Sequence, residues 1–270
     1  MNATAGRQGL LFALPGTSCP AAAATLERIG LAAARRFPAV EQRWAYTSHG
    51  VRRKLAAQGR SVPDPAQALT ALRNDGFTHV AVMTLHLADG MEFGELAETV
   101  AGFTHGPAAF ARIALGTPLL ACAGDLRRAF TALLSALPTP GPNEGVLLVA
   151  HGSRDPQGRA TFGSAAALCR QVDPGQRLGM MLGSPGLDET LQACRAAALK
   201  KVWLLPFMVA AGYSAREEIA GPGANSWKSA LERKGLECVP VIKGLSEFDG
   251  VVDVWLDQIA CLLEDLATRG

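Results

Sequence analysis

Several features that would assign a chain of 270 residues to a common class are missing from this sequence. No stretch approaches the ~20 consecutive apolar residues of a membrane-spanning helix. Basic runs are missing too, since 26 Lys and Arg residues nearly balance 24 Asp and Glu residues. The phosphate-binding pattern G-x-x-x-x-G-K-[ST] is absent. We therefore expect no membrane span, no nucleic-acid partner and no nucleotide cofactor.

Paired cysteines are also missing. The six cysteines have no C-x-x-C spacing, and most of them lie in apolar stretches. This predicts reduced, packed thiols in a cytoplasmic protein rather than a disulfide framework or a zinc site. The apolar run near 9–14 is shorter than the ~7–15 residues of a signal peptide core, so we interpret it as a core strand that leads into a helix.

The residues that are present predict an α/β fold. Apolar residues make up 49% of the chain and charged residues 19%, which favours a large core. Short β-rich runs alternate with helical patterns. The predicted strands are 9–14, 41–46, 78–85, 110–115, 145–150, 177–182, 201–208 and 237–242. The predicted helices are 20–36, 49–58, 65–75, 91–102, 124–136, 157–171, 186–199, 225–234 and 249–266. Apolar strands between amphipathic helices indicate parallel sheets flanked by helices on both faces.

A cluster of prolines and glycine at 137–143 separates two similar halves. We predict an N-terminal α/β domain over 1–138 and a C-terminal one over 144–270. The segment 10–18 aligns with 147–153, and 79–90 aligns with 201–212. Because ligands bind beyond the carboxyl ends of such strands, two facing domains would form a cleft lined by the loops of both repeats.

His151 ends a predicted buried strand and enters the loop His-Gly-Ser. A neutral imidazole there can bind a metal or accept a proton, whereas the alternative is a histidine that only hydrogen-bonds the strand end. His86 and Glu92 flank a tight turn and could converge on one ligand. Glu92 could instead only favour the dipole of the helix that follows.

The segment Ala211–Ile219 follows another strand. Ser214 and Glu217 form the S-x-x-E pattern, which predicts a capping box. That structural role leaves room for a pocket role of Tyr213 or Arg216.

Taken together, these segments resemble the anaerobic cobalt chelatases of cobalamin synthesis, which are class II chelatases. The resemblance covers roughly residues 8–265. It rests on Pro15-Gly-Thr-Ser18, Tyr46-Thr-Ser48, Arg53-Lys-Leu55, Leu85-His86 through Gly90 and Glu92, Gly116-Thr-Pro-Leu-Leu120, His151-Gly152, Val209 to Gly212, Ser226-Trp-Lys228 and Lys243-Gly-Leu245. It implies two similar domains with sirohydrochlorin between them and a lyase that inserts Co²⁺ without nucleotide.

The resemblance also implies roles for residues. His151 would bind the incoming metal and help to remove pyrrole protons. The family's second histidine and its glutamate are replaced here by Ser214 and Leu182, and neither is a good Co²⁺ ligand. His151 with Glu92 and His86 could form a compensating metal site. The residues expected to bind the macrocycle are Pro15, Gly16, Thr17, Ser18, Gly152, Ser153, Tyr213 and Ser214.

Two alternatives remain open at this point. The chain could be a tetrapyrrole carrier with weak or no chelatase activity, or a chelatase for another metal such as nickel or iron. The sequence also leaves the oligomeric state open, a homo-oligomer included.

Overall fold

The computed structural model describes residues 6–268 and shows two four-stranded parallel sheets flanked by helices. This confirms the predicted α/β class. The first sheet has the order β2-β1-β3-β4 and the second the order β6-β5-β7-β8. The strands are β1 Gln8–Leu14, β2 Glu41–Tyr46, β3 His79–Thr84, β4 Arg112–Leu115, β5 Glu144–Gly152, β6 Gln176–Leu182, β7 Lys201–Pro206 and β8 Glu237–Pro240.

Nine α-helices connect these strands within the described residues. They are α1 Pro20–Arg36, α2 His49–Ala57, α3 Pro65–Asn74, α4 Met91–Ala101, α5 Ala123–Ser135, α6 Pro156–Val172, α7 Leu187–Ala196, α8 Trp227–Arg233 and α9 Asp249–Thr268. The predicted elements therefore all exist, although β3, β4, β7 and β8 are each two residues shorter than predicted.

One of the two central strands, β1, shows why the sheets are covered on both faces. Leu10, Phe12 and Leu14 pack into one apolar cluster, while Leu11 and Ala13 pack into another on the opposite face. Alternate side chains of a strand point to opposite faces, so an apolar run serves both layers.

The two sheets share one core. The corresponding face of β5, with Val146, Leu148 and Ala150, belongs to the same apolar cluster as Leu10 and Phe12 of β1. The two halves are therefore packed against each other through a continuous apolar layer.

The last helix of each half contacts the other half. Helix α9 packs on β3 and β4 of the first sheet, where Arg112 Nη1 donates to the Leu266 carbonyl at 3.3 Å. Helix α5 packs on α6, and its Phe130 ring lies 5.5 Å from that of Phe207 just after β7. The sequence division at 138/144 stays a prediction, because these two helices connect both halves.

The predicted capping box at Ser214 and Glu217 is wrong. An N-cap residue needs extended backbone, but Tyr213 is already helical (φ −56°, ψ −51°) and Ser214 begins a π-helical segment, Ser214–Ile219. The serine that does cap a helix nearby is Ser226, which is extended and accepts from the Ser229 amide at 3.1 Å.

Among residues 6–268, no helix is both long and apolar enough to span a bilayer. This agrees with the composition, in which no apolar run reaches that length.

Candidate active site between the two sheets

A glycine in the left-handed conformation lies at the carboxyl end of β1 in the first sheet and of β5 in the second. Gly16 has φ +86° and Gly152 has φ +78°. A Cβ atom at Gly16 would clash with the Tyr46 ring, and one at Gly152 would clash with the Leu182 carbonyl. Both turns therefore require glycine, and they direct the following loops to equivalent positions beyond the two sheets.

Loops of the two halves touch each other at these carboxyl ends. A Cβ at Gly90 would lie 2.8 Å from the Asp155 carboxylate, and a Cβ at Gly212 would lie 3.5 Å from Thr17 Oγ1. Each contact joins the loop after β3 or β7 to the loop after the central strand of the other sheet. The loops that line the predicted cleft therefore face each other across the two halves.

Asp89 strengthens one of these contacts. Its carboxylate accepts a hydrogen bond from Gln157 Nε2 at 2.8 Å and another from the Thr161 hydroxyl, both on α6. These bonds lower the pKa of Asp89 and outweigh its desolvation. On the facing loop, the Ser153 hydroxyl donates to Asp155, which caps α6 by accepting from the Gly158 amide at 2.8 Å.

His151 lies at the end of β5, directly before Gly152. The strand is buried from Gly145 to Ala150, but His151 is exposed. Within residues 6–268 its imidazole has no hydrogen-bond or ion-pair partner. The alternative of a histidine that only hydrogen-bonds the strand end is therefore not what the structure shows, and the ring is free to bind a ligand.

His86 is placed very differently. Only 6% of the side chain is exposed, and both ring nitrogens contact threonine hydroxyls: Nδ1 lies 2.8 Å from Thr84 Oγ1 and Nε2 lies 2.9 Å from Thr47 Oγ1. Burial lowers the pKa of His86 to about 4, so the ring is neutral near pH 7.

Glu92 lies in the first turn of α4, next to this histidine. Its Oε2 is 3.8 Å from His86 Nε2. Burial raises the pKa of Glu92 and the nearby Glu95 carboxylate adds to the rise, while the Thr47 hydroxyl and the charge of Arg52 oppose it. The structure thus brings two of the predicted metal ligands together.

No group of three His, Cys, Asp or Glu residues within 6–268 is arranged to hold a metal ion. The predicted set of His151, Glu92 and His86 is therefore not assembled as a preformed three-ligand site. Ser214, at the start of the π-helical segment, and Leu182, at the end of β6, add no ligand to this pair. A metal held here needs donors from its tetrapyrrole or from water as well.

The other predicted contact residues lie in the facing loops. Pro15, Gly16, Thr17 and Ser18 are half-buried, as are Gly152, Ser153 and Ser214. Tyr213 is 71% exposed. The Thr17 hydroxyl accepts from the Cys19 amide at 3.1 Å.

Sequence reasoning missed Met91, which is 68% exposed. Strand β3 pairs with β1 in the same register as β7 pairs with β5. Met91 follows the start of β3 by the same number of residues as Tyr213 follows the start of β7, so the two residues occupy equivalent positions. The internal repeat contained this signal, since extending the alignment of 79–90 with 201–212 by one residue pairs Met91 with Tyr213.

A separate cavity of about 550 Å³ lies at the opposite end of the first sheet. Arg7, Glu41, Phe77 and His79 line it, near the amino ends of the strands. Ligands of open α/β sheets bind at the carboxyl ends instead, so we place the functional site at the facing loops.

Solved structures share this architecture. SirB from Bacillus subtilis with Fe³⁺ superimposes with a TM-score of 0.63 at 14% identity over 97% of this chain and 98% of that chain. The sirohydrochlorin chelatase SirB from Bacillus subtilis subspecies spizizenii, in complex with cobalt, gives a TM-score of 0.61 at the same identity and coverage. The chain therefore has the α/β fold of these chelatases.

The family follows from the sequence comparison. The family model described as Cobalt chelatase (CbiK) matches residues 8–264, and the chain belongs to this family. The sirohydrochlorin cobaltochelatase CbiKC of Nitratidesulfovibrio vulgaris is 38% identical over 261 residues, which cover 96% of this chain and 92% of the relative. The sirohydrochlorin cobaltochelatase of Salmonella typhimurium is 28% identical over 207 residues, covering 75% and 76%. The resemblance inferred from the motifs is confirmed.

Proposed function

We propose that this protein inserts Co²⁺ into sirohydrochlorin without ATP, as a lyase of cobalamin synthesis. The observation that carries this proposal is the exposed, unpartnered imidazole of His151 beside the facing loops, in a chain that matches the cobalt chelatase family over nearly its full length. Co²⁺ is a substrate in this reaction, not a resident cofactor. The oligomeric state and a cytoplasmic location remain predictions.

Insertion requires three events: the metal loses water, it reaches one face of the macrocycle, and two pyrrole protons leave. His151 can serve the last two, because an imidazole nitrogen binds a borderline divalent metal. Once the metal has moved to the macrocycle, the same nitrogen can accept one pyrrole proton, and the second proton passes to solvent water. Glu92, on the facing half, supplies a carboxylate for the same ion. Its raised pKa follows chiefly from burial and would fall when a divalent cation binds nearby.

His86 was predicted as a third ligand. Both of its nitrogens already contact hydroxyl groups, so direct coordination would require one of these hydrogen bonds to break. We therefore assign the metal to His151 and Glu92 first, with the macrocycle nitrogens completing the coordination.

Sirohydrochlorin is flat and carries many carboxylates. The apolar side chains of Met91 and Tyr213 are exposed at equivalent positions of the two halves and would contact its plane. Exposed basic residues near the loops could bind the carboxylates, and these are Arg53, Lys54, Arg154 and Arg216. Arg52 is instead engaged with the Tyr46 and Thr47 carbonyls.

The test is an insertion assay with purified protein, sirohydrochlorin and Co²⁺ in the absence of nucleotide. The absorbance change of the macrocycle is followed against the uncatalysed rate. Acceleration supports the chelatase. Binding of sirohydrochlorin without acceleration would select the carrier instead. Replacing Co²⁺ by Ni²⁺ or Fe²⁺ in the same assay identifies the preferred metal.

A further inference from the structure

The buried imidazole of His86 lies in a chain of polar contacts that joins Thr84 and Thr47 and reaches Glu92. Thr84 Oγ1 lies 2.8 Å from Nδ1, and Thr47 Oγ1 lies 2.9 Å from Nε2. The distance from Nε2 to Glu92 Oε2 is 3.8 Å, too long for a direct hydrogen bond. Thr47 Oγ1 and Glu92 Oε2 therefore lie beside the same ring nitrogen. Burial raises the pKa of Glu92, and the Thr47 hydroxyl opposes this rise.

One assignment of the protons gives each of these polar atoms a partner. In it, Thr84 Oγ1 accepts from the His86 backbone amide at 3.2 Å and donates its single proton to Nδ1. The neutral ring then carries its proton on Nε2 and donates it to Thr47 Oγ1. The Thr47 proton is then free for the nearby Glu92 carboxylate.

The other half of the molecule shows that the fold does not need this chain. By strand register, the equivalents of Thr84, His86 and Thr47 are Pro206, Met208 and Met181, none of which has a hydroxyl or imidazole. The second sheet forms the same topology without them. A buried polar group costs stability unless it is fully paired, so its presence on one side only points to a task at that site.

We propose that His86 and Thr47 are positioning residues that fix the Glu92 carboxylate toward the space between the halves, ready for the metal. The inference rests on the proposed function for the identity of that metal. His86 acts here through Thr47 and does not itself bind the ion. These polar contacts thereby present the Glu92 carboxylate of the first half to the His151 imidazole of the second half.

The first experiment compares Thr47→Val with Thr47→Ser in the insertion assay. Valine has nearly the shape of threonine without the hydroxyl, whereas serine retains the hydroxyl. We expect Thr47→Val to raise the KM for Co²⁺ about tenfold, which is ~1.4 kcal/mol, and to leave the KM for sirohydrochlorin unchanged. Thr47→Ser should restore the KM for Co²⁺ to within about twofold of the wild type, on the scale of one hydrogen bond.

Thr78→Val is the matched control. Thr78 Oγ1 lies 2.9 Å from His79 Nδ1, a contact of the same kind at the opposite end of β3. This variant should behave as the wild type. Equal impairment by Thr47→Val and Thr47→Ser would show that position 47 acts through packing, and an unchanged KM for Co²⁺ in folded Thr47→Val would overturn the proposal.

A second experiment does not depend on catalysis. Nitrogen-15 NMR of the histidine side chains, assigned with His86→Gln, reports the tautomer of His86 at neutral pH. The inferred chain requires a proton on Nε2 and none on Nδ1, and the opposite tautomer would overturn it. Co²⁺ titration of the wild type and of Thr47→Val by absorbance adds a binding readout. If the wild type accelerates no insertion, the proposed function fails while these two measurements still judge the positioning chain.

Discussion

The two halves of the molecule have the same strand order and the same left-handed glycine after the central strand, but they carry different chemistry. The first half has a buried histidine between two threonines and a carboxylate beside it. The second half has apolar residues in place of the histidine and the two threonines and a serine in place of the carboxylate, and its histidine is exposed. The pairs, first half before second, are Pro15 and His151, Thr47 and Met181, Thr84 and Pro206, His86 and Met208, and Glu92 and Ser214.

This difference indicates a division of labour between two copies of one fold. The backbone supplies equivalent loops, and each half fills its loop with one part of the site. The first half places the Glu92 carboxylate beside the buried His86 ring, and the second half supplies the unpartnered imidazole of His151. Neither half alone provides both side chains, so the proposed metal site depends on the contact between the halves.

Removal of the exposed imidazole should have the largest effect on activity. We expect His151→Ala to lower the rate of cobalt insertion by about 100-fold or more, because both metal delivery and proton transfer are lost. Its thermal stability should be close to that of the wild type, since the ring makes no contact that holds the fold. His105→Ala removes another exposed histidine and is the control in the same assay. An unchanged rate for His151→Ala would remove the histidine from the mechanism.

Substitution by alanine should destabilise the protein by different amounts at the two turn glycines, Gly152 and Gly16. A Cβ at Gly152 meets the Leu182 backbone, which cannot easily move, whereas a Cβ at Gly16 meets the Tyr46 ring. We expect Gly152→Ala to destabilise the protein by roughly 3 kcal/mol or more and Gly16→Ala by less. Gly59→Ala is the reference, because Gly59 has φ +72° with no atom within 4 Å of its Cβ and so reports backbone strain alone. Urea unfolding of the three variants measures the order, and equal losses would contradict it.

The buried histidine should make stability depend on pH. In the folded protein, burial lowers the pKa of His86 from 6.5 to about 4. The contribution of the neutral ring to the free energy of unfolding is therefore complete above pH 6.5 and is lost as the pH falls to about 4. In metal-free protein, the free energy of unfolding should fall by up to about 3 kcal/mol over this range. His86→Met inserts the residue found at the equivalent position of the second half and should remove this part of the pH dependence. Urea unfolding between pH 7 and pH 4 tests it, and identical pH profiles would show that His86 does not titrate as described.

The smallest effect is expected at the exposed apolar pair. Met91→Ala and Tyr213→Ala should each raise the KM for sirohydrochlorin roughly threefold to tenfold, about 1 kcal/mol, with little change in kcat. Leu31→Ala is the control, because Leu31 is 58% exposed on α1 and is not in the facing loops. Weaker binding in only one of the two variants would show that the halves contact the macrocycle unequally, which would contradict equivalent roles for Met91 and Tyr213.

Much of the fold could be predicted from sequence, because it depends on local patterns. Apolar strands such as 10–14 and 146–150 alternate with amphipathic helices, and this spacing locates the elements and the parallel sheets. The repeat also placed Pro15 and His151 at equivalent turns. The packing of α9 on the first sheet could not be predicted, because an apolar helix face does not specify which sheet it covers.

The site was harder to predict for a similar reason. The spacing of His86 and Glu92 suggested convergence, and the structure brings them within 3.8 Å. The pattern did not show that Thr47, which directly follows β2, contacts the same ring nitrogen of His86 that faces Glu92. The S-x-x-E pattern at Ser214 predicted a cap, but the backbone at Tyr213 was already helical. Partners far apart in sequence and local backbone angles both depend on the tertiary fold.

The central claim is that His151 and Glu92 act on one metal ion from opposite halves. A double-mutant cycle of cobalt insertion with His151→Ala, Glu92→Gln and the double variant tests it most directly. The account predicts that the double variant is hardly slower than His151→Ala alone, a coupling of more than about 1 kcal/mol. Effects that simply multiply would show that the two side chains act independently and would contradict the account.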